Sequence, residues 1–380
     1  MVVAWPRLTA LRFIARMAFP TGFVGTLARV GTPEVAEDTR FALPTRHGPM
    51  DARIFRSGEK GAPAIIVLPG IHKDGVREAR LVSLARELVA AGFTVVAVAP
   101  SDLPRYRIDP RSTDQLEDGI AYVSARKELA PSGKVAVLGV SFSGGLAVVA
   151  AGRPAVRDKV SAVLSFGGHG DLNRVLRYLC AGNPGVLPQR DETLVAQARL
   201  IHIPPPHDYG SVVALLSLAD HLVPADQVAS LREAVTVFLE ASSVDRLDHG
   251  ASQALFARSR ALGNAMPEPG KGLVGLVNDR KVAALGQAIA PLLDTVSLPS
   301  ALSPEQSDPP RAPLFLIHGA DDSVVPASEM LFLATAWRGR VPVTAFASQL
   351  ISHAEMEGQK RLSEIWGLSG FWSAFLAKAR

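Results

Sequence analysis

The sequence predicts an α/β protein with a doubly wound, mostly parallel sheet that is interrupted by an inserted helical cap. Two observations predict this fold. Unbroken apolar segments of strand length alternate with amphipathic helical segments before residue 170 and again after residue 312, as in a parallel sheet covered by helices on both faces. Between these two parts, residues 171–308 show helical periodicity and no convincing strand.

The composition is that of a globular chain. Of the 380 residues 48% are hydrophobic and 20% charged, and the net charge of +4 is spread along the chain, which does not predict a nucleic-acid partner. Cys180 is the single cysteine, so an intrachain disulfide and a multi-cysteine metal site are excluded. No apolar run reaches the roughly 20 residues of a membrane-spanning helix. We expect a cytoplasmic protein with no cofactor and no metal.

The first 37 residues are predicted to form a separate helical segment. Leu8, Leu11, Ile14 and Ala18 fall on one helical face, and two arginines fall on the opposite face. This arrangement favours a helix that packs on the body of the protein, or on a second copy in a homo-oligomer, over one that contacts a membrane surface.

The core follows in two parts. Residues 38–170 form the first part, where an antiparallel pair at the sheet edge precedes buried parallel strands, with helices at about 81–89 and 113–129 between them. Residues 309–380 form the second part, which ends in a helix around 366–376. The predicted strands lie at 39–44, 50–56, 64–68, 93–98, 135–138, 160–166, 313–319 and 341–346.

The helical insertion occupies residues 171–308. A proline-rich polar stretch at 298–313 then returns the chain to the sheet. We expect the insertion to roof a pocket, and its apolar faces suggest a substrate with a hydrophobic portion. Its predicted helices lie at 173–179, 211–222, 225–242, 252–262 and 280–293.

Ser141 stands between a buried strand and an apolar helix. Gly139 and Ser143 flank it in a small-x-Ser-x-small pattern, which a sharp strand-to-helix turn requires. A second register would make Ser143 the central serine, with Gly145 after it. We prefer Ser141, because the strand then ends at Gly139 and the paired glycines 144 and 145 fall in the first turn of the helix, where close packing on the sheet needs them.

This stretch resembles the nucleophile elbow of the α/β-hydrolase family, with Ser143 in place of the usual last glycine. A second stretch, residues 319–326, resembles the family's Gly-x-x-Asp-x-x-Val-Pro loop and implies that Asp322 is the catalytic acid, with Asp321 as the adjacent alternative. Some members carry the acid after the preceding strand, where this chain has Asp171, which we rank below Asp322.

The resemblance also implies a base and an oxyanion hole. His353 follows the last strand, where the family carries its general base, so serine, acid and histidine occur in the family's chain order. The family's loop after the first parallel strand corresponds to residues 69–71, with Pro69 in place of the common histidine. The backbone N–H groups of Ile71 and Phe142 are then the expected oxyanion donors. His72 either lines the pocket or faces solvent.

These residues predict a serine hydrolase that cleaves an ester or similar acyl bond of a small, partly hydrophobic substrate through an acyl-enzyme intermediate. The alternatives are an acyltransferase that uses the same triad and a catalytically silent, hydrolase-like binding protein. The resemblance covers residues 63–170 and 311–354. The remaining histidines considered lack such a context and receive no role: His47, His169, His202, His207, His221 and His249.

Overall fold

The computed structural model describes residues 4–19, 21–185, 192–245, 249–352, 355–356 and 362–380. Within this part of the chain, eight strands form one sheet, and a pair of two-residue strands lies apart from it. The strands are β1 (Glu37–Leu43), β2 (Met50–Arg56), β3 (Ala64–Leu68), β4 (Thr94–Ala99), β5 (Val135–Val140), β6 (Val160–Phe166), β7 (Leu314–Gly319), β8 (Val343–Ser348), β9 (Ile351–Ser352) and β10 (Glu355–Met356).

The order of strands in the sheet is β1-β2-β4-β3-β5-β6-β7-β8. β1 and β2 are antiparallel to each other, and β2 is antiparallel to β4. All further pairs are parallel, from β3 with β4 to β7 with β8. The mostly parallel, doubly wound sheet that the sequence predicts is thereby confirmed. The carboxyl ends of β3, β5, β6 and β7 lie side by side, so the loops that follow these strands meet at one edge.

Helices cover both faces of the sheet and form the insertion. They are α1 (Ala4–Ala18), α2 (Gly22–Arg29), α3 (Ala79–Ala90), α4 (Arg111–Ser124), α5 (Phe142–Gly152), α6 (Leu172–Ala181), α7 (Glu192–Ala198), α8 (Asp208–Ser217), α9 (Ala219–Leu222), α10 (Ala225–Val244), α11 (His249–Asn264), α12 (Gly270–Asn278), α13 (Val282–Ile289), α14 (Ser328–Ala336) and α15 (Leu362–Ala379).

Successive residues of each central strand point to opposite faces, and each face has its own core. Ile65 and Val67 of β3 pack in a cluster with α1, α3 and α15. Ile66 and Leu68 pack in a second cluster with α4, α5 and α14. Because both faces are covered, the strand sequence is apolar without alternation, which is the pattern that predicted a parallel sheet.

The insertion enters after β6 and leaves before β7, and its described residues form helices α6–α13 and short 3₁₀ turns. Its core is continuous with the loops at the carboxyl edge of the sheet, where it packs on Leu103, Tyr106, Phe142 and Val325, and on the half-buried Ile71. The insertion therefore covers the edge at which the predicted site residues are found.

The N-terminal segment differs from its prediction. Phe13 and Ile14 are buried on α3 and α15, with the ring of Phe13 at 4.5 Å from that of Trp372. Arg16, predicted on the polar face, is buried because its guanidinium pairs with Glu87 of α3, and Leu8 is exposed instead. Periodicity within α1 cannot predict an ion pair to a neighbouring helix. The sequence analysis also did not predict α2.

Candidate active site

Ser141 lies at the sharp turn between β5 and α5. Its backbone has φ 55° and ψ −135°, a conformation that costs a non-glycine residue about 1–3 kcal/mol and is concentrated at functional sites. The turn is held in place because the Ser141 N–H donates to the Phe166 carbonyl at 2.6 Å, and the Gly144 N–H donates to the Ser141 carbonyl at 2.7 Å. The structure thus has the elbow geometry that the sequence pattern predicts at this serine.

Four glycines allow the elbow to be this tight. A Cβ at Gly139 would overlap the backbone of Ser143, and one at Gly144 would lie 2.9 Å from the Cα of Gly168. A Cβ at Gly145 would overlap the ring of His169. Gly70 lies in the loop after β3, and a Cβ there would lie 3.2 Å from the Cβ of Ser141. The sequence reasoning anticipated close packing by the paired glycines, but not the groups on which they pack.

The structure separates the two serine registers. Ser143 lies in the first turn of α5, its side chain is fully buried, and its hydroxyl has no hydrogen-bond partner among the described residues. Ser141 is half-buried and lines a cavity. Of the two, Ser141 alone occupies the strained turn and reaches a space that a substrate can enter.

The two predicted oxyanion donors lie on either side of Ser141. Phe142 is the first residue of α5, so its N–H has no partner within the helix and lies at the positive end of the helix dipole. Ile71 follows Gly70, the residue in close approach to Ser141. No hydrogen bond from either amide to another described residue is present. Both N–H groups are therefore available to a ligand.

A cavity of about 380 Å³ opens beside Ser141. The described residues that line it are mainly apolar; most belong to α1, α3, α15 and the loop after β3, others to β5, β6, β9 and the turn at Ser141, and none to the insertion. The expectation that the insertion roofs the pocket is therefore not met for this cavity, where α1 forms the wall. Its lining includes Phe13, Ile14, Met17, Ala18, Ile71, His72, Leu81, Leu84, Phe166, Ile351, Leu368 and Trp372.

Asp322 is buried in the loop after β7. Its Oδ1 accepts hydrogen bonds from the N–H groups of Val324 and Val325, at 2.8 and 3.0 Å. Its Oδ2 lies 3.6 Å from Nε2 of His318, which is itself 2.8 Å from the Val325 carbonyl oxygen. These contacts hold the carboxylate in one orientation. Burial, together with the nearby negative charge of Asp322, raises the pKa of Tyr178 to about 12.

The other two acid candidates have different surroundings. Asp321 is exposed to solvent. Asp171 caps α6, because its Oδ1 accepts from the Arg174 N–H at 2.9 Å, and its Oδ2 accepts from Nε2 of Gln306 at 2.6 Å. Both oxygens of Asp171 thus have structural partners at the start of the insertion. His353, the predicted base, lies outside the described residues.

His169 has a position that sequence reasoning missed. Its ring stacks on that of Phe142, with centroids 4.7 Å apart and planes 5° apart, and its Nε2 lies 2.7 Å from the Leu302 carbonyl oxygen. Burial lowers the pKa of His169 to about 4, so the ring is neutral and donates through Nε2. The glycine-rich turn after β6 was the signal that the sequence offered, but the stacking partner at the start of α5 could not be read from it.

The strand order, with a strained serine in the sharp turn after β5, is that of the α/β-hydrolase fold. The fold predicted from the sequence is thus confirmed.

Solved structures with similar folds include an esterase of the hyperthermophilic archaeon Pyrobaculum calidifontis, at 16% identity and a TM-score of 0.46, covering 100% of this chain and 93% of that one. Brefeldin A esterase, a bacterial homologue of human hormone-sensitive lipase, has 13% identity, a TM-score of 0.44 and coverages of 98% and 86%. Est1E from Butyrivibrio proteoclasticus has 10% identity and a TM-score of 0.45, covering 90% of this chain and 98% of that one. No protein-family model and no curated protein sequence matches the chain. The assignment of the fold rests on the strand order.

The described residues contain no group of three or more His, Cys, Asp or Glu side chains arranged to hold a metal ion. In the same part of the chain, no helix combines the length and apolar character that crossing a bilayer requires.

Proposed function

We propose that this protein is a serine hydrolase that cleaves an ester or similar acyl bond. The Ser141 Oγ attacks the acyl carbon and gives its proton to His353, which Asp322 orients. The tetrahedral intermediate then collapses, the bond to the leaving group breaks, and the leaving group receives the proton from His353. Water, activated by the same histidine, releases the acid from the acyl-enzyme and regenerates Ser141.

The observation that carries this proposal is the strained backbone of Ser141 beside a cavity. At φ 55°, after a central strand, Ser141 lies in the sharp turn of a nucleophile elbow and lines the cavity, where its hydroxyl can reach a substrate carbonyl group. An ordinary serine in a strand-to-helix turn has no need of this conformation, which is maintained against its cost by the packing of four glycines.

The two unpartnered amides support acyl transfer in particular. The negative charge of the tetrahedral intermediate develops on an oxygen, and preorganised N–H donors stabilise it because they need no reorientation during the reaction. Phe142 offers such a donor at the N-terminus of α5, where the helix dipole adds to its effect. The stacked His169 holds the Phe142 ring in place, and we assign it a positioning role.

The cavity supports a substrate with a hydrophobic acyl or alkyl group. Side chains such as Phe13, Met17 and Trp372 favour an apolar chain over a charged one. Polar groups are also present, because Glu78 and Arg80, which pair at 2.8 Å, line the same cavity.

The proposal is tested by reaction with a fluorophosphonate probe and by hydrolysis of p-nitrophenyl esters of increasing chain length. We expect Ser141→Ala to abolish labelling and to lower kcat/KM by roughly 10⁴-fold or more. The matched control is Ser143→Ala, two residues away and buried, which should retain both labelling and turnover.

Labelling that survives Ser141→Ala and is lost in Ser143→Ala would contradict the assignment. A folded wild-type protein that never reacts with the probe would support the silent binding protein instead. Ester products formed with an added alcohol acceptor, in excess of free acid, would identify an acyltransferase with the same nucleophile.

A further inference from the structure

The helix α2 carries its apolar residues on the outside. Phe23, Val24 and Leu27 lie on one helical face and are 81%, 46% and 60% exposed, and Val30, directly after the helix, is 65% exposed. The opposite face packs on α1, where a Cβ at Gly25 would overlap the Phe19 carbonyl group. We call the four exposed residues the α2 patch. An amphipathic surface helix of a globular protein turns its apolar face to the core, so this arrangement is inverted.

The chain segment that carries the α2 patch is basic. The first 33 residues contain four arginines and no Asp or Glu. Arg16 and Arg29 pair with Glu87, whereas among the described residues no carboxylate pairs with Arg7 or Arg12. Arg12 donates to the carbonyl groups of Ala28 and Val30, at the end of α2, so it lies beside the patch.

An exposed aromatic residue contacts α1, the helix on which α2 packs. The guanidinium of Arg7 lies 4.6 Å above the ring of Trp366, which is exposed, and Leu8 beside it is exposed as well. Exposed apolar residues with arginines and a tryptophan at their edge are the combination by which interfacial helices bind anionic lipid: the apolar side chains enter the acyl boundary, the cations contact phosphate, and the indole lies at headgroup level.

The α2 patch is connected to the candidate active site through α1. Met17 and Ala18, near the end of α1, line the cavity beside Ser141, and α2 begins four residues after Ala18. The helix on which α2 packs is therefore a wall of the cavity. A protein bound to a bilayer through the patch would hold this helix close to the lipid.

From this geometry we infer that the α2 patch docks on an anionic phospholipid surface, from which an ester with a hydrophobic acyl chain enters the cavity. The docking itself does not depend on catalysis, whereas the nature of the substrate rests on the proposed function. Docking reverses the sequence-based preference against membrane contact, because periodicity in α1 gave no sign of an exposed apolar face in α2.

Vesicle flotation with the full-length Ser141→Ala protein tests docking apart from turnover. We expect binding to vesicles made of equal parts phosphatidylcholine and phosphatidylglycerol, and much weaker binding to phosphatidylcholine alone. Leu27→Ser should weaken binding roughly tenfold, and Arg7→Gln roughly fivefold, since a basic residue near an anionic surface contributes about 1 kcal/mol. Leu200→Ser is the matched control, because Leu200 is 38% exposed and lies in the insertion; it should leave binding unchanged.

With catalytically intact protein, Leu27→Ser should lower hydrolysis of a vesicle-embedded ester and leave kcat/KM for a water-soluble short ester unchanged, which also shows that the variant is folded. Equal vesicle binding by Leu27→Ser and Leu200→Ser would overturn the inference. So would a patch that proves to be a dimer contact, shown by a wild-type dimer that becomes monomeric in Leu27→Ser and binds no vesicles. Vesicle binding by a protein that hydrolyses no ester would refute the proposed function and leave the docking intact.

Discussion

The loops after β6 and β7 each end in a carboxylate near the candidate site, yet the two carboxylates have different surroundings. After β7, Asp322 is buried and fixed by two backbone N–H groups of its own loop. After β6, Asp171 is partly exposed and caps α6. The loop after β7 holds its carboxylate mainly through its own backbone, while the loop after β6 joins the sheet to the insertion. We therefore expect changes after β7 to lower activity and changes after β6 to lower stability.

The largest expected effect is that of Asp322→Asn. The amide keeps an oxygen for the two N–H groups, so the fold should persist, but it removes the charge that, in the proposed mechanism, orients and stabilises a protonated His353. We expect kcat to fall roughly 10⁴-fold with little change in melting temperature. Asp321→Asn, at the exposed neighbouring position, is the control and should be near wild type. If Asp171→Asn lowered turnover and Asp322→Asn did not, the acid would belong to the loop after β6.

The next-largest expected effect is that of Arg174→Ala. Arg174 joins the loop after β6 to α14. Its guanidinium bonds to Glu305 and Glu329, and the same Glu329 carboxylate accepts the N–H groups of Gly170 and Asp171. Arg174→Ala leaves the fully buried Glu329 without its countercharge, and we expect the free energy of unfolding to fall by about 3 kcal/mol in urea denaturation.

Arg177→Ala, on the same helix, is the control for Arg174→Ala. Arg177 pairs with Asp294 at an exposed site, so its loss should cost about 1 kcal/mol or less. Equal losses in the two variants would show that burial of the Glu329 ion pair does not govern the stability of this loop.

A third effect is a dependence of stability on pH through His169. Its pKa is about 4 in the folded protein and about 6.5 when unfolded, so between these values the unfolded state binds more protons and stability rises with pH. On going from pH 7 to pH 5 this residue should lower the free energy of unfolding by about 2 kcal/mol. Denaturation of wild type and His169→Gln at both pH values measures the difference. The prediction fails if the two proteins lose the same amount.

The smallest expected effect is the loss of the Asp171 cap. Asp171→Ala removes the acceptor for the Arg174 N–H and should lower the free energy of unfolding by about 1 kcal/mol. Asp171→Asn retains an acceptor oxygen and should cost only a few tenths. Turnover of the folded protein should be unchanged in both, as measured with the ester that wild type cleaves best.

Much of the core was predictable because its signals are local. The unbroken apolar run 64–68 is β3, fully buried, since a strand covered on both faces has no polar side. The elbow was predictable for a related reason, because only small residues fit where strand and helix approach as closely as at Gly139. The carboxylate after β7 was recognised from its loop motif, although the amides that bind it were not.

Other features depended on contacts between distant segments. Periodicity placed Arg16 on the solvent side of α1, but Glu87, 71 residues later, draws it into the interior. Sequence reasoning found no context for His169, and its stacking on Phe142 exists only because the loop after β6 meets the start of α5 at one edge of the sheet. A sequence pattern reports which side chains share a face of one element and carries no information about what covers that face.

The sequence by itself determined the class of fold, the order of strand and helix along the core, and the serine between two small residues, because each follows from the chemistry of adjacent residues. The tertiary structure decided that Ser141 rather than Ser143 lies in the strained turn and which carboxylate is buried. It also decided that α1 rather than the insertion lines the cavity and that the apolar face of α2 points outward. These outcomes depend on packing between elements, where burial and partners are set by segments far apart in the chain.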